Sequence, residues 1–555
     1  MAVSPDAMAS SSRPVGEPLR VGAAVLKEWL HDGAEIALLD VREHGQYGED
    51  HLFYAVNAPY SRLERDAPRL VPRPSARVVV YDEDGAQVAP RAAAALAALG
   101  YRDVHVLDGG LRAWRSAGLA SFAGVNVPSK TFGELAEHAL GTPRISPADL
   151  AGRQREGGKL VVLDGRPYEE YRKMNIPGSI CCPNGELALR VQELVPDSGT
   201  TIVVNCAGRT RSIVGAQTLI DLGLPNPVFA LENGTQGWYL ADLPLEHGSQ
   251  RRYPDAVAAD ELPALRERAQ GMAARAGVRS VDPAQASAWL ADGGRTTFLC
   301  DVRTREEYDA GTLPGARHTP GGQLIQATDQ YIGVRGARIV LADAEGVRAP
   351  VVAAWLGRMG WDVHVLDGGV SAGIAAAPGI SAAPAVAWQA PEVETLAAAG
   401  IAAVLRDGAA LVDVRPSMAY RKGHIEGARW SIRPRLRELG LAAQTPVVLL
   451  AQDGAVGALA ALELRSLGVS RVMLNADGPA VWREAGLPVV AGDGAPPDGD
   501  CIDYLFFVHD RHSGNKAAAR QYLAWETDLV NRIDDRERAA FRLPGAQARA
   551  GAGGS

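Results

Sequence analysis

Short apolar runs recur along this chain, each closed by a polar or small residue and followed by a stretch with helical spacing. Four of the runs end alike: Leu39-Asp40-Val41-Arg42, Leu163-Asp164-Gly165-Arg166, Cys300-Asp301-Val302-Arg303 and Val412-Asp413-Val414-Arg415. A second β-rich run follows in each case: Val78-Val79-Val80-Tyr81, Ile202-Val203-Val204-Asn205, Ile339-Val340-Leu341-Ala342 and Val447-Val448-Leu449-Leu450. The next residue lies 42 positions beyond the aspartate in the first three cases, at Asp82, Cys206 and Asp343, and 38 beyond it in the fourth, at Ala451. A helix and a third β-run come after that, reading 212–222 and 228–231 in the second copy. Strands alternating with helices in this way predict an α/β fold with a doubly wound parallel sheet, repeated four times. In such sheets ligands lie beyond the carboxyl ends of the strands, where Cys206 falls.

A further shared mark closes each copy: Leu107-Asp108-Gly109-Gly110 with Trp114, Leu231-Glu232-Asn233-Gly234 with Trp238, Leu366-Asp367-Gly368-Gly369, and Leu474 with Trp482. The glycines suit a tight turn, and the tryptophan suits a helix packing over it. The third copy has Gly373 where the tryptophan would stand, which predicts a looser corner. The aspartates are spaced 124, 137 and 112 residues apart, too far for solenoid units and right for domains with their own cores. The expected domains are 18–123, 140–249, 277–378 and 390–492, followed by a helical C-terminal tail over 498–544. The segments 124–143 and 375–384 read as linkers, and 255–278 as a joining helix. Within the tail, 515–533 has an amphipathic pattern with Ala519, Tyr522, Leu523, Trp525 and Leu529 near one face. Together with Tyr504, Phe506 and Phe507, these predict a tail docked on a domain or a second subunit. The end, 545–555, is small and polar enough to be disordered.

Composition narrows the field. Of 555 residues, 47% are hydrophobic and 22% charged, as in ordinary globular protein. A formal charge of −8 speaks against nucleic acid or an anionic membrane as principal partner. The first 20 residues lack a basic segment followed by an apolar core, and no run of about 20 apolar residues occurs. The expectation is a cytoplasmic protein. Five scattered cysteines make no disulfide framework, so any functional thiol should be reduced.

Only the second copy has a cysteine at the end of its second run, in the loop Cys206-Ala207-Gly208-Arg209-Thr210-Arg211-Ser212. The strand fixes the cysteine, and Gly208 lets several backbone N–H groups turn inward as an anion nest. A helix starting near Ser212 adds its positive end, and Arg209 and Arg211 add two cations. All of these favour the thiolate, which is the nucleophile. This set, with Asp164-Gly165-Arg166, Ile176-Pro177-Gly178-Ser179 and Asn233-Gly234…Trp238, resembles a rhodanese-type sulfurtransferase, and four tandem rhodanese-like domains cover nearly all of 20–495.

The resemblance implies that Cys206 takes a sulfane sulfur as a persulfide and passes it to a thiol or cyanide, with no cofactor and no metal. It makes Ala207, Gly208, Arg209, Thr210, Arg211 and Ser212 the substrate-binding loop, and Asp164 and Arg166 the residues that order it. The donor would be thiosulfate, 3-mercaptopyruvate or glutathione persulfide; a protein acceptor is a further option. Two-domain thiosulfate rhodaneses often carry a cation six positions after the opening aspartate. Glu170 stands there in this chain, so Arg209 or Arg211 has to supply the charge. The fourth copy keeps Gly423-His424-Ile425 of the family's Gly-His-Ile-Pro-Gly motif without a cysteine, which assigns that motif to fold. Phosphatase chemistry would need an arginine at 212, where Ser212 stands. No His or second Cys sits at ligand spacing near Cys206. Cys181 and Cys182 read as small apolar filler or as a resolving thiol. The alternative to an enzyme is a sulfur carrier, sensor or scaffold whose inactive copies, with Asp82, Asp343 and Ala451 at the site, bind partners.

Overall fold

The structure is a computed structural model that describes residues 18–195, 197–374, 388–492, 494–506 and 515–544. The expected linker 375–384, the disordered end 545–555 and Phe507 lie outside the described residues. Four five-stranded parallel sheets follow one another, each ordered first-fifth-fourth-second-third. In the second copy the strands are Arg144–Ile145, Leu160–Asp164, Ile180–Cys181, Thr201–Asn205 and Val228–Leu231. Its central pair runs in register from Leu160 beside Thr201 to Asp164 beside Asn205. Strands covered on both faces need unbroken apolar sequence, and Ile202, Val203 and Val204 are all fully buried. The fourth and second strands are neighbours, so Cys206 and Asp164 leave adjacent carboxyl ends.

The aspartate that ends each second strand is buried and tied to the arginine two residues on. Arg166 donates from Nε and Nη2 to Asp164 at 2.8 and 2.7 Å, and from Nη2 to the Met174 carbonyl at 2.6 Å. Arg42, Arg303 and Arg415 make the same pairing with Asp40, Asp301 and Asp413, each also capping a carbonyl eight residues on. A motif that recurs with identical contacts in copies without a cysteine serves the fold. The same holds for His424, stacked on Tyr420 at 3.7 Å, and His51, stacked on Tyr47 at 4.0 Å. The third copy's corner is a short 3-10 turn, Gly369–Ser371, where the first two copies have helices.

The linker reading of 124–143 is corrected: it holds the helix Val127–Leu140, with Phe132, Gly133 and Glu134 buried. Phe132, Ala136 and Leu140 share one face, and Phe132 packs edge-on to Trp355 of the third copy at 5.9 Å and against Phe541 of the tail at 5.7 Å. The joining helix runs Leu262–Arg275 and the tail helix Lys516–Arg532, capped by the Asn515 side chain on the Ala518 N–H. The tail helix lies on Val127–Leu140, so the tail docks within the chain itself. No helix among the described residues is long and apolar enough to cross a membrane.

Candidate active site

The strand Thr201–Asn205 delivers Cys206 to a loop that enters the helix Thr210–Asp221. Cys206 is 2% exposed. The Ser212 hydroxyl donates to its Sγ at 3.1 Å. The loop's outer side is pinned by the turn after the fifth strand, Val228–Leu231: the N–H of Thr235 donates to the Cys206 carbonyl at 2.8 Å and that of Gln236 to the Ala207 carbonyl at 3.2 Å. This needs Gly234, which has φ +54°, and a Cβ there would lie 2.2 Å from the Cys206 oxygen. Asn205 Nδ2 donates to Asp164 at 2.9 Å, fixing the last strand residue before the thiol.

The equivalent loop in two other copies holds a carboxylate of the chain itself. In the third copy the Asp343 carboxylate accepts from the backbone N–H groups of Gly346, Val347, Arg348 and Ala349 at 3.1, 2.8, 2.8 and 3.3 Å. In the first, Asp82 accepts from Gly85, Val88 and Ala89 at 2.5, 2.6 and 2.9 Å. In two copies, then, the loop closes on an anion that belongs to the chain. In the second copy no residue among those described accepts from the N–H groups of Ala207, Gly208, Arg209, Thr210 or Arg211. The thiol takes the carboxylate's position in the repeat. The fourth copy, with Ala451, uses Asp453 as an ordinary helix cap on Ala455 and Val456.

The two loop arginines are not uncompensated cations, which corrects the sequence reading. Arg209 donates to Glu134 at 2.7 and 2.9 Å and to Glu137 at 2.5 Å, both on the helix Val127–Leu140. Arg211 donates twice to Glu170 at 2.9 Å. Glu170 thus does not merely lack the family's positive charge; it also ties up one that the loop supplies. Burial pushes the Glu134 carboxyl up to about 7 against the pull of Arg209, with Glu526 and Glu137 adding to the rise. Arg211 keeps its proton well above the usual range because Glu170 and the sulfur of Cys206 outweigh its burial. Burial raises Cys181 to about 12 and Cys182 well above its usual range, which keeps both as thiols and fits filler better than a resolving role.

A cavity of about 420 Å³ opens over Cys206. Its walls are the cysteine loop, Glu170, Lys173 and Met174, but also Asn126 and Lys130, before and on the helix Val127–Leu140. The third copy contributes Gln323, Gln326 and Gln330, and the tail helix contributes Tyr522 and Glu526. Thr210 Oγ1 donates to Glu526 at 3.1 Å, across 316 positions of sequence. Sequence reading missed Lys130, Glu134 and Glu137 by treating their segment as a linker. An apolar spacing of four through Phe132, Ala136 and Leu140 was the available signal. Glu526 carried a local signal, a carboxylate within the apolar face of the tail helix; nothing local marked Gln326.

A model of the rhodanese-like domain matches residues 22–117, 146–241, 282–376 and 398–485, and the chain belongs to that family. In structure it is similar to a thiosulfate sulfurtransferase from Pseudomonas aeruginosa, with 41% identity and a TM-score of 0.85 over 95% of this chain and 99% of that one. Among curated proteins it is 37% identical over 116 residues to the HTH-type transcriptional regulator Rv0324 of Mycobacterium tuberculosis, covering 20% of this chain and half of the regulator. It is also 28% identical over 211 residues to "Putative thiosulfate sulfurtransferase SseB" of the same species, covering 30% of this chain and 71% of that protein.

Proposed function

We propose that this chain is a sulfurtransferase that works through a persulfide on Cys206. The observation that carries the reading is the open N–H cradle around Cys206, set beside two copies in which the same cradle holds a carboxylate. With thiosulfate as donor, the thiolate attacks the outer sulfur, the S–S bond breaks, and sulfite leaves with the bonding pair. A Cys206–S–S⁻ group remains, its negative charge facing the loop N–H groups and the Ser212 hydroxyl. A thiolate or cyanide then attacks that outer sulfur, and Cys206 leaves as thiolate. The likeness to a thiosulfate sulfurtransferase over nearly the whole chain supports thiosulfate as a donor.

Asp164 and Arg166 order the loop in this reading, and Ala207 to Ser212 bind the anion. Phosphoryl transfer lacks the closing arginine, since Ser212 bonds the thiol and Arg211 is held by Glu170. The test is a mass measurement after thiosulfate alone, coupled to steady-state turnover with cyanide, on the parent protein and Cys206→Ser. A gain of one sulfur with turnover, both lost in the variant, is expected. Loading without turnover would favour a carrier that waits for a protein acceptor, and absence of loading would overturn the persulfide.

A further inference from the structure

The cavity over Cys206 is completed by parts of the chain outside the second copy, and those parts hold its uncommitted polar atoms. Glu526 is 2% exposed and Gln326 is 9% exposed. Glu526 Oε2, Gln326 Oε1 and Asn126 Oδ1 are buried without a hydrogen-bond partner. All three residues line the cavity. Glu526 sits against the cysteine loop: a Cβ on Gly208 would lie 2.9 Å from Oε2, while Oε1 accepts from Thr210. We propose that Glu526, assisted by Gln326 and Asn126, selects the sulfur acceptor, and that this acceptor is a small thiol carrying a protonated amine. The inference rests on the sulfurtransferase reading of Cys206.

The chemistry follows from what these atoms can accept. An ionised carboxylate only accepts hydrogen bonds, and a buried one is satisfied best by a cationic N–H donor. The neighbouring guanidinium groups are committed elsewhere, Arg209 to Glu134 and Glu137, Arg211 to Glu170. Lys130 holds its ammonium over the rings of Tyr522 and Trp525, at 4.9 and 4.5 Å. An ammonium brought by the substrate supplies the donor. The cavity volume suits a small molecule. A folded partner would have to reach a thiol that is 2% exposed. In the transfer, the acceptor thiolate attacks the outer sulfur of Cys206–S–S⁻, the inner S–S bond breaks, and Cys206 leaves as thiolate with the electron pair. The ammonium keeps its proton throughout and serves only to hold the acceptor.

The test uses the full chain with thiosulfate as donor and compares cysteamine with 2-mercaptoethanol, which differ in the amine, at equal thiolate concentration. A kcat/KM ratio of at least about tenfold in favour of cysteamine is expected, falling towards one in Glu526→Gln. A ratio near one in the parent protein, or a ratio unchanged in the variant, would overturn the inference while leaving the sulfurtransferase reading in place. A parent ratio near one overturns the inference even if Glu526→Gln fails to fold, and in that case Glu526→Asp is the second variant, with a ratio lowered towards one expected and an unchanged ratio overturning the inference. Absence of sulfur on Cys206 after thiosulfate would instead bring down the sulfurtransferase reading, and this inference with it.

Discussion

At the scale of single residues, the two arginines beside the thiol are paired with carboxylates, whereas the backbone N–H groups of its loop have no acceptor among the described residues. Ser212 is the one side chain that donates to Cys206 Sγ among the described contacts. A hydrogen bond to a charged group contributes roughly 1.5–3 kcal/mol, so Ser212→Ala should lower kcat/KM for thiosulfate by about tenfold or more. Sulfur loading should be slower but still measurable by mass. Glu134 gives a pH dependence of definite sign. Its carboxyl, ordinarily near 4.5, titrates at about 7, facing Arg209, Glu137 and Glu526. As pH falls through 7 it becomes neutral and leaves Arg209 less compensated, so KM for thiosulfate should drop by about fivefold between about pH 8 and about pH 6. Steady-state kinetics across that range should show a flat KM in Glu134→Gln. Because the folded value lies above the unfolded one, the contribution to stability is full below 4.5 and is lost as pH rises through 7.

At the scale of elements, one loop design is used in two ways. Where Asp343 fills the cradle it satisfies four backbone N–H groups at a helix start, which is structural work. Asp343→Ala should therefore cost about 2 kcal/mol locally, read as faster amide exchange in the helix Arg348–Arg358 with Cys206 loading retained. These loops were legible in the sequence because strand, Asp-x-Arg opening and turn recur at fixed spacing, and repetition turns a weak local pattern into a strong one. The helix Val127–Leu140 had no second copy to reinforce it, and its flanking Asn, Pro and Gly read as punctuation. Cys206 was legible as the odd residue in a repeat. The state of Arg209 and Arg211 was not, since charge says nothing of pairing when Glu134 lies 75 positions away and Glu170 lies 41. The tail helix was visible from its apolar face, and Glu526, four residues after Tyr522 and three before Leu529, falls inside that face as its one acidic member; what the sequence did not show is the loop in another domain that it meets.

At the scale of the whole molecule, the third copy supplies a wall of the cavity over Cys206. The hinge of that arrangement is Arg348, fully buried between the second and third copies. It donates to Glu307 at 2.6 and 2.8 Å, to Glu345 at 2.7 Å and to Glu186 of the second copy at 3.1 Å. Close by, the backbones of Gly185 and Gly322 approach so nearly that a Cβ on Gly185 would lie 2.6 Å from the Gly322 nitrogen. That contact seats the helix Gly321–Gln326, which carries two of the cavity's glutamines. Removing the guanidinium in Arg348→Met leaves three carboxylates facing one another, and breaking such a buried network costs about 3–5 kcal/mol. The expected result is faster hydrogen exchange in Gly321–Gln326 together with a raised acceptor KM, while thiosulfate loading of Cys206 persists. Acid should do the same to the parent protein. Burial pushes the Glu307 carboxyl up, but the hydrogen bond and charge of Arg348 win and hold it at about 2. With the folded value below the unfolded one, this contribution is present above about 4.5 and is lost as pH falls towards 2. The protection factor of Gly321–Gln326, which removes the intrinsic pH dependence of amide exchange, should therefore fall across that window in the parent and change little in Arg348→Met; equal pH dependence in both would mean that Arg348 does not hold the wall.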